Sequence, residues 1–171
     1  MKILISAILC LLSMAVSSQS IGIIEKARIV QKKYKIDCKY VVMIDYSKPI
    51  TAQRLYVINT KESRIAIFSV VSHAFNSGVY YATDFSNVEE TKKSSLGAYV
   101  TENTYYGIYG YSLVLNGLEK TNSNAKKRKI VFHSTKKMST KWSWGCFAVP
   151  EKNNRKTVSY THLTLPTNRE V

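Results

Sequence analysis

A cysteine that directly follows a glycine, in Ser143-Trp144-Gly145-Cys146, lies thirteen positions (146 − 133) after a histidine that closes the apolar run Ile130-Val131-Phe132-His133. These are residue types of nucleophilic catalysis. A thiol with an unperturbed pKa of about 8.5 is mostly protonated at neutral pH, so an imidazole that accepts its proton raises the reactive thiolate fraction. A glycine beside the nucleophile leaves room for substrate and lets backbone N–H groups turn toward a developing oxyanion. Read this way, Cys146 is the nucleophile, His133 the general base, and Gly145-Cys146 the oxyanion turn. Ser143 supports that turn, and Trp144 either walls a substrate groove or simply packs. The same residue types also describe a buried apolar thiol and a hydrogen-bonded strand-end histidine, and spacing alone does not choose between them.

The elements that must position this pair are mostly strands. Short β-branched or aromatic runs recur at Tyr40 to Tyr46, Arg54 to Asn59, Ile65 to Val71, Ala98 to Thr101, Ser112 to Leu118 and Lys129 to His133. They are separated by turn residues, Asn59-Thr60-Lys61-Glu62 reading as a hairpin turn. Ahead of them, Ile21, Ile24, Ala27, Val30 and Tyr34 recur near a 3.6-residue period with lysines between them, which predicts an amphipathic helix over 21–36 packed against the domain. Between Ala74 and Gly97 periodicity fails while Ser, Asn, Gly and Thr accumulate, the signature of a long functional loop or of a surface loop with capping side chains. The twelve tyrosines include Tyr105, Tyr106, Tyr109 and Tyr111 interleaved with glycine, a pattern that either lines a groove or covers sheet edges. No catalytic duty is assigned to them.

A chain of 171 residues with 45% hydrophobic content is long enough for one domain with a real core. Met1-Lys2 followed by the apolar Ile3 to Val16, with Ala15-Val16-Ser17 as a small-residue cleavage site, predicts a signal peptide over 1–17 and export, with no transmembrane segment after cleavage. Cys10 lies within the apolar stretch without the small residue that a lipoprotein signal places before its cysteine. Cleavage leaves Cys38 and Cys146, too few for a disulfide framework, and Cys38 is expected as a buried structural thiol. The formal charge of +14 becomes +13 (14 − 1) without Lys2, favouring acidic cell-envelope polymers. The lysines are scattered in separate clusters, among them Lys126-Lys127-Arg128-Lys129, read as solvated surface, and no nucleic-acid-binding pattern accompanies them. The histidines and carboxylates show neither HExxH nor paired-Cys spacing, so neither a metal nor a cofactor is expected.

From about Val41 to Glu151 the chain resembles the catalytic domain of murein L,D-transpeptidases of the YkuD-like superfamily, in the branch that reads Ser-x-Gly-Cys followed by a small or apolar residue and a proline. The matching pieces are Ile130-Val131-Phe132-His133, Ser143-Trp144-Gly145-Cys146-Phe147-Ala148-Val149-Pro150, Phe85-Ser86-Asn87, Ser94-Ser95-Leu96-Gly97, and Tyr111 to Glu119. Ser134 stands where the family usually has glycine, the stretch between His133 and Cys146 is short, and Phe147-Ala148 replace the arginine that follows the cysteine in the better-known branch. The resemblance implies a mainly β (α+β) fold, an L,D-transpeptidase-like β-sandwich with an N-terminal helix. Its implied organisation is an N-terminal helical segment over 18–39 and a catalytic domain over 40–157, truncated at its C-terminal side. It implies catalysis by Cys146, His133 and Gly145, and substrate contacts from Ser143, Trp144, His73, Ser86, Asn87 and Ser95. His73 reads equally as a satisfied strand-end histidine. The implied substrates are peptidoglycan stem peptides, in the periplasm or cell envelope, attacked through a Cys146 thioester in transpeptidation or carboxypeptidation. A secreted cysteine peptidase or amidase, and an inactive wall-binding module, are the alternatives. Residues 158–171 resemble a translated sequencing-adapter tail and are expected to be non-native and to pack poorly, which strips His162 of functional meaning.

Overall fold

Strand β1 (Tyr40–Asp45) is buried on both faces, and that determines the layout. Val42 and Ile44 point into the main core, whereas Val41 and Met43 point the other way, against helix α1 (20–34). Strand β2 (Leu55–Asn59) repeats the division, with Leu55 and Val57 on the core side and Tyr56 and Ile58 under the helix. Strands covered on both faces read as continuous β-branched runs, which is why these two stand out in the sequence. The computed structural model describes residues 20–135, 142–160 and 164–168, the last stretch as backbone only. The signal segment 1–17 lies outside them.

Helix α1 packs through Ile24 and Ala27, with Ile23 alongside. Ile21, expected in this stripe, is 67% exposed. At about 100° per residue it lies roughly 120° around the helix from Ala27, outside the apolar face that Ile23 occupies instead. No helix among the described residues is long and apolar enough to cross a membrane.

The remaining strands are β3 (Arg64–Ser69), β4 (His73–Ala74), β5 (Gly97–Gly107), β6 (Gly110–Gly117), β7 (Val131–Thr135), β8 (Trp142–Ser143), β9 (Phe147–Pro150) and β10 (Thr164–Asn168). Six of these join β1 and β2 in one eight-stranded sheet in the order β3-β2-β1-β10-β5-β6-β7-β9, and β4 pairs with β8 in a second. The large sheet folds back on itself. Ser72, just past the β3 edge, donates its N–H to the Ala148 carbonyl on β9 at the opposite edge (2.9 Å), and the Ala148 N–H donates to Ser72 Oγ (2.9 Å). Leu55 and Val57 from one half therefore share a core with Tyr99, Leu113, Phe132 and Phe147 from the other. The fold is mainly β with an N-terminal helix, as expected.

Helix α2 (Glu151–Ser159) follows β9 and closes the core with Val158. It thus enters the stretch 158–171 that was expected as a tail. Beyond it, the β10 backbone runs parallel to β1 (Val41↔Thr164) and antiparallel to β5 (Tyr99↔Leu165). Leu163 and the side chain of Leu165 lie outside the described residues. The long loop after β4 is ordered by its own polar groups: Ser94 Oγ accepts the Ala74 N–H (2.9 Å), Ser94 N–H donates to Ser77 Oγ (2.8 Å), and Asn76 N–H donates to the Lys92 carbonyl (2.9 Å).

Candidate active site

His133 on β7 and Cys146, just before β9, border the same cavity. Strands β7 and β9 are parallel neighbours in the register Phe132↔Phe147 and His133↔Ala148. Phe132 and Phe147 are both fully buried in the core, so the paired neighbours His133 and Ala148 fall on the other face, and Cys146 sits in the bend just before β9. All three border a cavity of ≈ 500 Å³ whose wall also includes Tyr109, Arg128, Ser143 and Trp144.

The His133 imidazole is held in one tautomer. Its Nδ1 lies 2.8 Å from the Ser134 carbonyl, which can only accept, so Nδ1 carries the proton and Nε2 the lone pair. The Tyr109 ring stacks on its face at 4.7 Å. Burial holds the His133 pKa below its ordinary value, with the Ser134 bond opposing. Cys146 Sγ points its proton at the Lys129 carbonyl, 3.6 Å away. Burial pushes this thiol up, against the opposing pull of the Val131 backbone and the Arg128 charge. The resting pair is thus a neutral imidazole and a protonated thiol, which suits general-base activation at the moment of attack.

The turn before Cys146 is tied by one hydroxyl. Ser143 Oγ donates to the Cys146 carbonyl (2.6 Å) and accepts the Gly145 N–H (3.1 Å). Gly145 sits at φ +134°, and a Cβ there would meet Ile130 Cδ1 at 2.7 Å and Arg128 Nη2 at 3.2 Å. Only glycine satisfies both the backbone angle and the space. Trp144 is 73% exposed, and Lys92 Nζ rests 4.5 Å from the centre of its ring.

The other expected site residues lie elsewhere. His73 is fully buried in β4, where it pairs with Trp142 of β8. Its Nδ1 accepts from Arg54 Nη2 (3.1 Å), which leaves Nε2–H to donate to the Gly78 carbonyl (2.7 Å), the tautomer opposite to that of His133. Burial depresses its pKa, and it does not border the Cys146 cavity. Asn87 is spent on structure: Nδ2 donates to the Lys120 carbonyl and Ser123 Oγ, and Oδ1 accepts the Asn124 N–H. The Ser86 carbonyl and Ser95 Oγ both accept from Arg128 Nη1, at 2.8 and 3.3 Å. Neither serine borders the cavity. Sequence reasoning set Arg128 aside as solvated surface and left Tyr109 as one of several tyrosines that either line a groove or cover sheet edges. Arg128 was hidden in a lysine run, and Tyr109 in a tyrosine-rich hairpin, although flanking Gly107 and Gly110 marked its tip. Among the described residues, no group of three or more His, Cys, Asp or Glu is placed to hold a metal ion.

The helical cell shape determining protein Pgp2 from Campylobacter jejuni has the same fold, with a TM-score of 0.54 at 14% identity over 79% of this chain and 48% of that one. An L,D-transpeptidase from Xylanimonas cellulosilytica gives 0.46 at 12% identity over 78% and 62%. An L,D-transpeptidase from Stackebrandtia nassauensis gives 0.48 at 16% identity over 78% and 58%. The chain therefore spans between 48% and 62% of the length of these structures. No curated protein sequence matches it significantly. A family model for the L,D-transpeptidase catalytic domain matches residues 12–163, a stretch that takes in both His133 and Cys146, and the chain belongs to that family.

Proposed function

We propose that this protein is an exported cysteine acyltransferase that acts on peptidoglycan stem peptides through a Cys146 thioester. What supports the reading is that His133, on β7, and Cys146, in the bend that leads into the neighbouring parallel strand β9, line one cavity in a chain of the L,D-transpeptidase family. His133 Nε2 takes the thiol proton as sulfur attacks the carbonyl carbon that links the L-centre and D-centre residues of a tetrapeptide stem. The tetrahedral oxyanion is met by the Cys146 N–H, since the Gly145 N–H is engaged by Ser143 in the resting turn. The imidazolium then gives its proton to the leaving amine, the C–N bond breaks, and the terminal D-amino acid departs. An acceptor amine attacks the thioester, His133 removes its proton, and the released thiol closes the cycle with a new amide. Water in place of the amine gives carboxypeptidation.

The basic surface, at a formal +14, suits retention in an acidic cell envelope. Incubation of the purified chain with tetrapeptide muropeptides, followed by mass spectrometry, tests the proposal. Loss of the terminal D-amino acid with a cross-linked or hydrolysed product is expected, and neither should form with Cys146→Ala. Turnover that survives Cys146→Ala, or cleavage of other amides in preference, would put the chemistry elsewhere.

A further inference from the structure

The loop that carries Phe85-Ser86-Asn87 and Ser94-Ser95 holds an arginine through Ser86, Lys93 and Ser95. Arg128 Nη1 donates to the Ser86 carbonyl and to Ser95 Oγ, and Nη2 donates to the Lys93 carbonyl. Three of the five guanidinium N–H groups are thus fixed by acceptors without charge. Asn87 anchors the same loop to residues 120–124, in the segment that leads to Arg128. The held guanidinium lies against the active turn, close enough that its Nη2 would be 3.2 Å from a Cβ on Gly145. It borders the Cys146 cavity on one side and, on the other, a larger cavity of ≈ 760 Å³ beneath Trp144.

From this geometry we infer that Arg128 is a positioning residue for the nucleophile: a cation clamped beside Cys146 by the loop 85–95, which stabilises the negative charge on sulfur as His133 removes its proton. No carboxylate hydrogen-bonds the guanidinium among the contacts just described, and Glu89, which lines the larger cavity with it, acts on it by charge alone. The other charged and titratable groups around it are differently occupied. Glu89 pairs with Lys127 (2.6 Å), and Lys93 with Asp84 (3.3 Å). Lys92 lies over Trp144, and Tyr99, whose hydroxyl bonds Ser95, is held protonated by burial, with a pKa raised above its ordinary value. Lys129, His133 and Tyr109 border the thiol cavity, and Glu90 the larger one. His133 carries no charge at neutral pH because burial depresses its pKa. Arg128 is therefore the fixed cation that favours the thiolate, in keeping with its pull on the Cys146 thiol.

The inference rests on Cys146 being the nucleophile, but its test needs no acyl transfer. The rate of Cys146 alkylation by iodoacetamide, followed by peptide mass to separate it from Cys38, is measured against pH for the wild type, Arg128→Met and Arg128→Lys. Loss of an opposite charge within ~4–6 Å moves a thiol by about one unit, so the midpoint for Arg128→Met should rise and the thiolate fraction at neutral pH fall by up to about tenfold. Arg128→Lys, which keeps the charge, should stay within a few tenths of a unit of the wild type. The wild type gives a reading independent of any variant folding: its midpoint should rise with salt, because a cation acting across an open cavity is screened. A midpoint unchanged in Arg128→Met, equal shifts in the Met and Lys variants, or a salt-independent wild-type midpoint would each show that Arg128 only braces the loop. Loss of acyl transfer with an intact alkylation shift would instead count against the proposed reaction.

Discussion

His73 and His133 have opposite surroundings, so replacing each with alanine should separate stability from chemistry. His73 is fully buried and makes two hydrogen bonds, accepting from Arg54 at 3.1 Å and donating to Gly78 at 2.7 Å. Arg54 is itself buried without a carboxylate bonded to it, held by the Val71 and Lys48 carbonyls and by the Tyr46 ring at 4.9 Å. Each buried group stranded by His73→Ala costs about 1–3 kcal/mol, more on the charged side, which gives roughly 3–5 kcal/mol in all. That is a large share of the ~5–15 kcal/mol that holds a domain of this kind, and at about 2–4 °C per kcal/mol the melting temperature should fall by roughly 6–20 °C. His133→Ala loses only the local bond to Ser134 and one stacked ring, about 1–2 kcal/mol. Its cost falls on turnover, where general-base assistance is worth about 10²- to 10⁴-fold. Thermal melts, paired with muropeptide turnover well below the melt, make the comparison. A His133→Ala enzyme within a few-fold of the wild type would show that another group activates the thiol. A His73→Ala protein that melts normally yet turns over more slowly than His133→Ala would reverse the two roles.

Other outcomes follow from the same contacts. Ser143→Ala removes the hydroxyl that joins the Gly145 N–H to the Cys146 carbonyl, so kcat should fall about ten- to a hundredfold with a stability loss of ~1–3 kcal/mol; an unchanged kcat would mean the turn holds without it. Gly145→Ala must adopt φ near +134° and push Ile130 aside, so both thiol alkylation and turnover should drop, and a variant of wild-type activity and melting temperature would contradict the tight turn. Burial depresses the pKa of both His73 and His133. The unfolded chain takes up protons near pH 6.5 that the folded one refuses, so the stability from these groups is fully present above about 6.5 and declines as pH falls through their lower folded values. Urea midpoints should therefore drop between neutral and mildly acidic pH, and by less in His73→Ala; a midpoint that is flat or rises toward acid contradicts that sign.

The parts of this fold that were legible in the sequence are those where burial is apolar and periodic. β1 and β2 stood out because both faces are covered, and β7 because Ile130 to Phe132 run into the core ahead of His133. β5 was expected to stop at Thr101. It continues to Gly107, since the polar Glu102-Asn103-Thr104 sits at a register shift and hairpin pairing with β6 carries the strand past it. Helix α2 gave no signal because its buried positions are Asn154, Thr157 and Val158, the right spacing in mostly polar residue types, with Asn154 Nδ2 bonded to the Tyr111 carbonyl. The proposed pair was visible because the residue types of His133 and Cys146 announce their chemistry in the sequence, and in the folded chain both border one cavity. The ring of groups around it was not. Lys126, Lys127 and Lys129 are exposed, as charged runs usually are, and nothing in the run distinguishes the half-buried Arg128 among them. Its partners are two carbonyls and a serine hydroxyl on a loop thirty-three to forty-two positions upstream, and a carbonyl acceptor carries no residue signature. The serines of that loop match a family motif, which invites reading them as substrate contacts. In the folded chain, the Ser95 hydroxyl meets Arg128 and, at 2.7 Å, the Tyr99 hydroxyl, a pairing that no residue spacing in the sequence announces.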